Sequence, residues 1–206
     1  MTRDARLLRR AFFNRDPRMV ARELLGKLIV RRNGRKQLAG RIVEVEAYLG
    51  AGDLAAHAAA GHTDRNAVLF GPPGHAYVYF IYGVHYCLNI SCLPEGDAGC
   101  VLIRALEPIS GIADMANARG RANLDLTSLR ELRKLASGPG KLCEALGITR
   151  PRDNDKDMLS LKSDLQVMSD GFRVEEVAVT PRIGITKSAE MPLRYIMSNS
   201  PFVSRR

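Results

Sequence analysis

HAYVYFIYGVHYCLNIS (residues 75–91) is the stretch that indicates how this chain folds. Two alternating runs flank the pair Tyr82-Gly83, and four of the six tyrosines of the chain lie within ten residues here. A period of two is typical of β-strands, and a glycine with positive φ permits a tight turn between them. The stretch therefore predicts an antiparallel β-hairpin with Tyr82 at its tip. A tyrosine there is either covered by a neighbouring loop or exposed as a wedge, and the pattern leaves both interpretations open.

Further strands and helices are predicted on both sides of the hairpin. Upstream, Asp16-Pro17 begins a helix over roughly 17–25, and KLIVRR and RKQ flank the turn signal Asn33-Gly34. RIVEVEAYL (41–49) is a third alternating run, followed by a long loop over 51–75. Downstream, GCVLIRALEP (99–108) predicts a strand, 110–147 turns helical, RPRDNDKD is a polar loop, and VAVTPRIGITK and PLRYIMSNSPFVS return to strand character.

These elements indicate one domain of the α+β class that spans residues 1–206. We expect a curved, mostly antiparallel β-sheet core, a protruding β-hairpin and surrounding helices. Residues 1–16 are predicted to form a basic, partly flexible N-terminal arm.

The positive charge is concentrated at one end of the sequence. Of a net charge of +9, residues 1–41 contribute +10, from thirteen Lys and Arg against three acids. Such asymmetry favours a polyanionic partner such as nucleic acid, because neutralised phosphates release counterions. A solvated basic surface that only aids solubility remains the alternative.

Composition makes several other classes of protein improbable on physical grounds. No apolar run reaches the roughly 18 residues that a membrane helix needs. The cysteines show no C-x-x-C spacing and are expected to be small buried side chains in a reducing cytoplasm. The histidines lack a tight set of ligand partners, and no P-loop or dinucleotide motif occurs. The sequence therefore predicts a cytoplasmic protein with no metal and no nucleotide cofactor.

Two glutamates in the third strand form a candidate catalytic pair. Glu44 and Glu46, at i and i+2, are expected on one strand face about 7 Å apart. One interpretation is a solvated edge-strand face. The other places Glu46 at the end of the strand beside a cleft, where a carboxylate can act as a general base for water.

The segment SGPGKLCEALG (137–147) also allows two interpretations. It is similar to a helix-hairpin-helix turn, in which backbone amides contact a phosphate. It also fits a plain connection between two helices.

Taken in order, the motifs resemble the alkyladenine (3-methyladenine) DNA glycosylase family. They are RIVEVEAYLG, AAH, DRN, YVYFIYGVHYCLNIS, GCVLIRALEP, SGPGKLCEALGI, RIG, PLRY and SPFVS, and they run from about residue 17 to the C-terminus. The resemblance implies a monofunctional enzyme that flips alkylated or deaminated purines out of double-stranded DNA and hydrolyses the N-glycosidic bond, the first step of base excision repair. It also implies a single mixed α/β domain without metal or organic cofactor, for which a monomer suffices.

The resemblance assigns roles in catalysis and in phosphate binding. Glu46 would orient and deprotonate the attacking water, which Arg104 and the backbone carbonyl of Ile183 would help to hold. Thr63 and Lys141 match positions near DNA phosphate. Residues 117–135 depart from the family pattern, so helix-borne phosphate contacts there do not carry over.

The resemblance also assigns a base pocket and a wedge. Tyr48, His57 and Tyr79 would stack around the flipped base, and the His57 backbone amide would donate a hydrogen bond to it. Asn89 would exclude normal guanine, whose exocyclic amino group would clash there. Tyr82 would intercalate into the duplex.

Two other hypotheses compete with this one. A non-catalytic protein that binds damaged nucleic acid could keep the pocket alone, although the presence of both Glu46 and Arg104 argues against it. A helix-hairpin-helix glycosylase, suggested by SGPGK, would be largely helical, whereas the motifs of this chain lie on predicted strands.

Overall fold

The computed structural model describes residues 5–204 of the chain, and within them nine strands form one open, mostly antiparallel sheet. This confirms the predicted α+β class. The strands are β1 (Arg6–Leu7), β2 (Leu28–Asn33), β3 (Lys36–Tyr48), β4 (Ala76–Ile81), β5 (His85–Cys92), β6 (Gly99–Ser110), β7 (Leu165–Ser169), β8 (Val177–Thr180) and β9 (Arg194–Met197).

Six α-helices and a 3-10 turn surround the sheet in the described part of the chain. They are α1 (Arg10–Phe13), α2 (Pro17–Leu24), α3 (Ile112–Ala118), α4 (Leu129–Ala136), α5 (Pro139–Ala145) and α6 (Arg150–Asp153), with the 3-10 turn at Ala67–Phe70. The prediction for α2 is confirmed, since the Asp16 side chain accepts from the backbone N–H of Arg18 and Pro17 is the first helical residue.

The long strand β3 organises the sheet. The strand order is β1-β7-β2-β3-β6-β5-β4, and β6 pairs with β3 over most of its length. On the other edge, β2 pairs with the first half of β3 and β9 with Glu44, Val45 and Glu46. The sequence predicted two strands here, RKQ and RIVEVEAYL, but they are one continuous strand. The two-residue turn before it consists of Gly34 and Arg35, one position later than predicted.

The hairpin of β4 and β5 forms where it was predicted. Ile81 pairs with His85, and only the far end of β5, from Asn89 to Cys92, pairs with β6. The half of the hairpin that carries the turn therefore extends beyond the neighbouring strand. This is the protruding hairpin that the sequence pattern indicated.

A β-bulge breaks the alternation expected in β3. The register against β6 shifts between Ile42 and Glu44 and again between Glu44 and Val45. As a result Ile42 packs in the same core cluster as Val45, whereas strict alternation placed it on the face of Glu44. Bulges re-aim side chains in this way and are common beside functional sites.

The remaining differences from the prediction lie near the ends of the chain. RPRDNDKD is not an open polar loop, because α6 begins it and Asp153 is fully buried. Strand β7, which no pattern singled out, pairs with both β1 and β2. Of the two C-terminal segments, only Val177–Thr180 and Arg194–Met197 are strands.

The predicted N-terminal arm, residues 1–16, is only partly within the described residues, because residues 1–4 lie outside them. Residues 6–7 pair with β7, and Phe13 of α1 is fully buried in the main core. Among the helices of residues 5–204, none is long and apolar enough to cross a membrane. The four cysteines are free and buried, as expected.

Candidate active site

A cavity of about 730 Å³ opens on the face of the sheet between the hairpin, the α4–α5 connection and the loop after β8. The register of the strands determines which side chains lie on the floor of the cavity. Glu46 pairs with Leu102, Leu102 with Asn89, and Asn89 with Tyr77, so one row of side chains crosses four strands. Directly paired residues of antiparallel strands present their side chains on the same face. Residues far apart in the sequence are therefore brought to one surface.

Glu46, at one end of this row, is fully buried and contacts Tyr48, Arg104 and Ile183, which line the cavity. Its Oε1 accepts from the backbone N–H of Ile183 at 2.8 Å and pairs with Arg104 Nη1 at 3.0 Å. Its Oε2 accepts from the Tyr48 hydroxyl at 3.0 Å. A carboxylate has about four lone-pair sites, so three donors leave roughly one site free. The carboxylate is thus held in one orientation with a single acceptor position unoccupied by protein donors.

Glu44 is also fully buried, so the hypothesis of a solvated strand face is wrong. Its Oε1 accepts from Arg104 Nε at 3.0 Å and from Arg194 Nε at 2.8 Å. The backbone N–H of Ser204 donates to its Oε2 at 2.6 Å. Glu44 therefore anchors Arg104 from the side opposite Glu46 and ties the C-terminal segment to the site.

Arg104 bridges the two glutamates. Burial disfavours its charge, but the carboxylates of Glu46 and Glu44 outweigh burial and raise the pKa of Arg104. The guanidinium therefore stays charged, and it supplies the positive charge that allows two buried carboxylates to lie so close together.

A second buried ion pair supports Tyr48 and was not found from the sequence. Arg182 pairs with both carboxylate oxygens of Asp53, at 2.6 and 2.7 Å, and its guanidinium lies 4.6 Å from the centre of the Tyr48 ring. Its Nη1 also donates to the carbonyl of Ala47. Asp53 and Arg182 are 129 residues apart in glycine-containing loops, and no local spacing relates them.

The Tyr48 hydroxyl remains a donor under ordinary conditions. Burial raises the pKa of its phenol, and the neighbouring Glu46 carboxylate raises it further. Tyr48 is therefore protonated at neutral pH, and its hydroxyl donates a hydrogen bond to Glu46.

Aromatic rings line one wall of the cavity. The rings of His57 and Tyr79 meet edge to face with centroids 4.5 Å apart, and His57 Nδ1 is 2.8 Å from the Tyr77 hydroxyl. Burial, and next the charge of Arg65, lower the pKa of His57, which is neutral at pH 7. Asn66 Nδ2 donates to the His57 carbonyl and fixes the loop. This wall is therefore aromatic and carries no charge at neutral pH.

Asn89 lies on the floor of the cavity and is 2% exposed. Its Nδ2 donates to the carbonyl of Tyr77 at 3.1 Å, and the thiol of Cys100 lies 3.7 Å from its Oδ1. The side-chain amide therefore has a fixed orientation, and it lines the same cavity as the aromatic rings.

Tyr82 stands at the hairpin tip with 80% of its surface exposed. The loop that could have covered it does not do so. Tyr82 and Gly83 have φ of 55° and 68°, and the backbone N–H of Val84 donates to the carbonyl of Ile81. Two consecutive positive φ values are typical of the type I′ turn, which matches strand twist. The turn projects the ring away from the protein at the rim of the cavity.

Of the two residues expected to contact phosphate, one lines the cavity and the other does not. Lys141 lines the cavity, and burial together with the charges of Arg119, Arg121 and Arg133 lowers its pKa. Thr63 is exposed and is not among the residues that line the cavity; its backbone N–H donates to Asn66 Oδ1.

Within SGPGK, Ser137 and Gly138 connect α4 to α5, which begins at Pro139, and the two helices pack against each other. The segment forms part of the cavity wall together with His85, whose ring lies within 3.1 Å of the position that a Cβ on Gly140 would occupy. The nine-stranded sheet does not fit the largely helical fold of helix-hairpin-helix glycosylases. In the part of the chain that the structure describes, no group of three or more potential ligands (His, Cys, Asp or Glu) could hold a metal ion.

Comparison with known proteins gives a consistent match. The family model described as Methylpurine-DNA glycosylase (MPG) matches residues 11–201. A protein from Koribacter versatilis is 68% identical over 96% of this chain and 92% of its own length. Proteins from Methanoculleus marisnigri and Alkaliphilus oremlandii are 49% and 41% identical, over 95% and 97% of this chain and 97% and 99% of their own. All three carry the name "Putative 3-methyladenine DNA glycosylase".

Proposed function

Because the chain belongs to the methylpurine-DNA glycosylase family, we propose that it is a DNA glycosylase that removes damaged purines from double-stranded DNA. The observation that carries the proposal is the buried Glu46 carboxylate, held by three donors beside a cavity with an aromatic wall. The proposal is supported by position: the residues expected from the resemblance, apart from Thr63, line one cavity or, in the case of Glu46, contact residues that line it.

The base is proposed to enter the cavity after rotation out of the duplex. Tyr48, His57 and Tyr79 line the cavity and offer ring faces or edges for stacking. An alkylated purine is cationic and electron-poor, so it is attracted to aromatic rings. Neutral His57 adds no repulsion to such a ring. Asn89, fixed on the floor, is proposed to exclude the exocyclic amino group of guanine.

Hydrolysis is proposed to use a water bound at the remaining acceptor site of Glu46. Glu46 accepts a proton from this water as its oxygen attacks C1′ of the sugar, and Arg104 and the Ile183 carbonyl help to hold it. The glycosidic bond breaks, and its electron pair neutralises the cationic purine. A single general base therefore suffices, whereas ordinary glycosidases need a second carboxyl group to protonate the leaving oxygen.

The remaining assignments concern the DNA itself. Tyr82 is proposed to insert into the duplex and fill the space left by the extruded nucleotide. Lys141 and Thr63 are proposed to contact phosphate. One chain contains every group that this mechanism uses, so the enzyme is proposed to act as a monomer, on chromosomal DNA in the cytoplasm.

Single-turnover excision with Glu46→Gln tests the proposal. On a duplex that carries 3-methyladenine, which is cationic and lacks the exocyclic amino group of guanine, the variant should bind as the wild type does but excise the base at least ~10²-fold more slowly, the low end for loss of a general base. Glu107→Gln is the matched control, since Glu107 lies on β6, faces Arg41 and does not line the cavity. Its excision rate should be unchanged.

The competing hypothesis of a non-catalytic binder makes the opposite prediction. Wild-type protein that binds several damaged duplexes and releases no base from any of them would establish it. Equal excision by Glu46→Gln and wild type would remove Glu46 from the mechanism.

A further inference from the structure

A charged cluster at the rim of the cavity takes no part in the proposed chemistry. Glu144 of α5 pairs with Arg119 through one carboxylate oxygen, and its other oxygen is 3.0 Å from His85 Nδ1. All three residues line the cavity, and His85 is the first residue of β5 after the Tyr82 turn. The cluster therefore joins the hairpin to the helices on the other side of the opening.

We propose that Glu144 mimics a DNA backbone phosphate at this rim, and that Arg119 and Lys141 bind the phosphodiester next to the extruded nucleotide when that phosphate displaces Glu144. This inference rests on the proposed function, because it requires a DNA duplex at the cavity. It adds a phosphate site in the region 117–135, to which the family resemblance assigned no contact.

Arg119 has a donor that could bind a second anionic partner besides Glu144. Its side chain is 9% exposed, and its Nε is buried without a hydrogen-bond partner among the described residues. A buried N–H without a partner is unfavourable, and such groups commonly mark a ligand site. Ser137, which also lines the cavity, has a buried Oγ in the same condition. Two unpartnered polar atoms at one wall indicate that the site is completed by something outside the chain.

Electrostatics at the rim favour an anion. The side chain of Lys141 runs alongside Gly138, within 3.5–3.9 Å of the position that a Cβ there would occupy. Burial and the nearby charges of Arg119, Arg121 and Arg133 lower the pKa of Lys141, so these cations repel one another. Glu144 offsets part of this repulsion through its pair with Arg119. A phosphodiester carries the same charge as Glu144 and more acceptor oxygens.

Glu144 is placed to exchange with such a ligand. Its side chain is 41% exposed and that of His85 47%, so displacing the carboxylate from this cluster returns it to water at small cost. Gly140 allows α5 to approach the hairpin so closely that a Cβ would lie 2.9 Å from His85 Cγ. Through its contact with His85, Glu144 therefore lies next to the hairpin that carries Tyr82, and both residues line the same cavity.

Salt dependence of binding tests the role of Arg119. All variants carry Glu46→Gln to slow excision, and binding to a hypoxanthine duplex is followed by fluorescence anisotropy from low to high salt. Arg119→Met keeps the apolar stem but removes the guanidinium. Its affinity should fall on the order of tenfold at low salt. The slope of log K against log salt should be smaller by about 0.9, the value for one lost phosphate contact.

The matched control is Arg35→Ala. Arg35 is exposed in the turn before β3, eleven residues and roughly 35 Å along that strand from Glu46. The slope should be unchanged in this variant. An unchanged slope in Arg119→Met as well would overturn the proposal.

A double-mutant cycle tests the role of Glu144. Glu144→Gln should tighten binding roughly two- to fivefold, because the phosphate no longer competes with a carboxylate for Arg119. The gain should largely disappear in the Arg119→Met background. An equal gain in both backgrounds would show general charge removal and would overturn the proposal.

Thermal melting of each variant separates binding from folding. If Arg119→Met does not fold, the affinity of the Glu144→Gln variant for the duplex decides the proposal. Unchanged or weaker binding by that variant contradicts phosphate mimicry. Failure of the proposed function looks different, because protein with the native Glu46 would then release no base from any damaged duplex, whatever the salt slopes of the variants.

Discussion

Arg104 shows how a single side chain sets the chemistry of this site. Its guanidinium contacts Glu46 with one nitrogen and Glu44 with another, both at 3.0 Å. Glu44 keeps Arg194 and Ser204 as further partners, whereas Arg104 is the one cation that the structure pairs with Glu46 in the described chain. Glu46 therefore relies on Arg104 for a cationic partner more than Glu44 does.

Replacing Arg104 should slow excision and destabilise the fold. Arg104→Met leaves two buried carboxylates without their shared cation, which should cost about 3–5 kcal/mol of unfolding free energy. The variant should also excise the base roughly 10- to 100-fold more slowly, because Glu46 and the attacking water lose a hydrogen bond from a charged group.

Single-turnover excision of 3-methyladenine and urea unfolding measure the two losses, with circular dichroism to confirm folding. Arg104→Lys keeps the charge and should lose less of both. Equal excision by Arg104→Met and wild type would remove Arg104 from the mechanism.

At the scale of the element, Tyr82 at the hairpin tip is expected to affect the stability of the turn through its backbone conformation and DNA binding through its ring. One substitution can measure the two effects separately. The residue has a positive φ, which asparagine tolerates better than other side chains. Tyr82→Asn should therefore keep or slightly increase the free energy of unfolding, yet weaken binding to a damaged duplex by roughly 1–3 kcal/mol through loss of ring stacking.

Urea unfolding and anisotropy titration measure the two quantities. Val84→Ser is the matched control, as Val84 lies in the same turn and is 65% exposed. If both variants lose the same affinity, the tip contributes by shape and the intercalation proposal fails.

The loop that carries His57 depends on a close backbone contact. Gly50 has φ of 80°, and a Cβ there would lie 1.7 Å from the carbonyl oxygen of Ala98. Gly50→Ala should therefore cost about 3 kcal/mol or more of unfolding free energy, because the opposing backbone has to move. Gly52 also has positive φ, 86°, but open space around it. Gly52→Ala should cost only about 1–2 kcal/mol in backbone strain, and equal losses in urea unfolding would contradict the steric explanation.

Local patterns in the sequence predicted the elements that depend on neighbouring residues. The hairpin at 75–91 and helix α2 follow from alternation, glycine and capping, which act within a few residues. The bulge at Glu44 was not predicted, because an inserted residue is defined by the partner strand rather than by the sequence that contains it. The pair Asp53–Arg182 was missed for the same reason, as only folding brings the two residues together.

At the scale of the whole molecule, charge along the sequence differs from charge in space. The excess of cations in residues 1–41 suggested an N-terminal polyanion-binding surface. Many of these cations pair instead with acids from later in the chain or close by. The pairs are Arg10–Asp157, Arg15–Glu23, Arg18–Asp16, Arg31–Asp153, Arg31–Asp164, Lys36–Asp114 and Arg41–Asp170. The cations at the cavity rim, Arg119 and Lys141, come instead from residues 42–206, whose net charge is −1.

Buried pairs should make the fold sensitive to acid. Burial disfavours the charge of Asp53, but the hydrogen bonds from Arg182 prevail and lower its pKa below 3.8. A lowered pKa contributes stability that is present above the unfolded value and lost as pH falls through the folded value. The free energy of unfolding should therefore be nearly constant from pH 7 to about 5 and fall below about 4.

Urea unfolding of Asp53→Asn checks the contribution of this pair. At pH 7 the variant should lose about 3–5 kcal/mol, because Arg182 remains buried without its partner. Below pH 4, the free energy of unfolding of the variant should decline less than that of the wild type. An identical acid profile in both proteins would assign the loss to other carboxylates.

The exposed ring at the hairpin tip also has an optical consequence. The chain contains no tryptophan, and four of its six tyrosines line the cavity. Tyr82→Trp would place the sole indole of the protein at the tip, where its emission can be excited at wavelengths that tyrosine and DNA absorb weakly. The spectrum of such a protein would report the passage of one side chain from water into stacked bases, and time-resolved emission would show whether insertion precedes or follows entry of the base into the cavity.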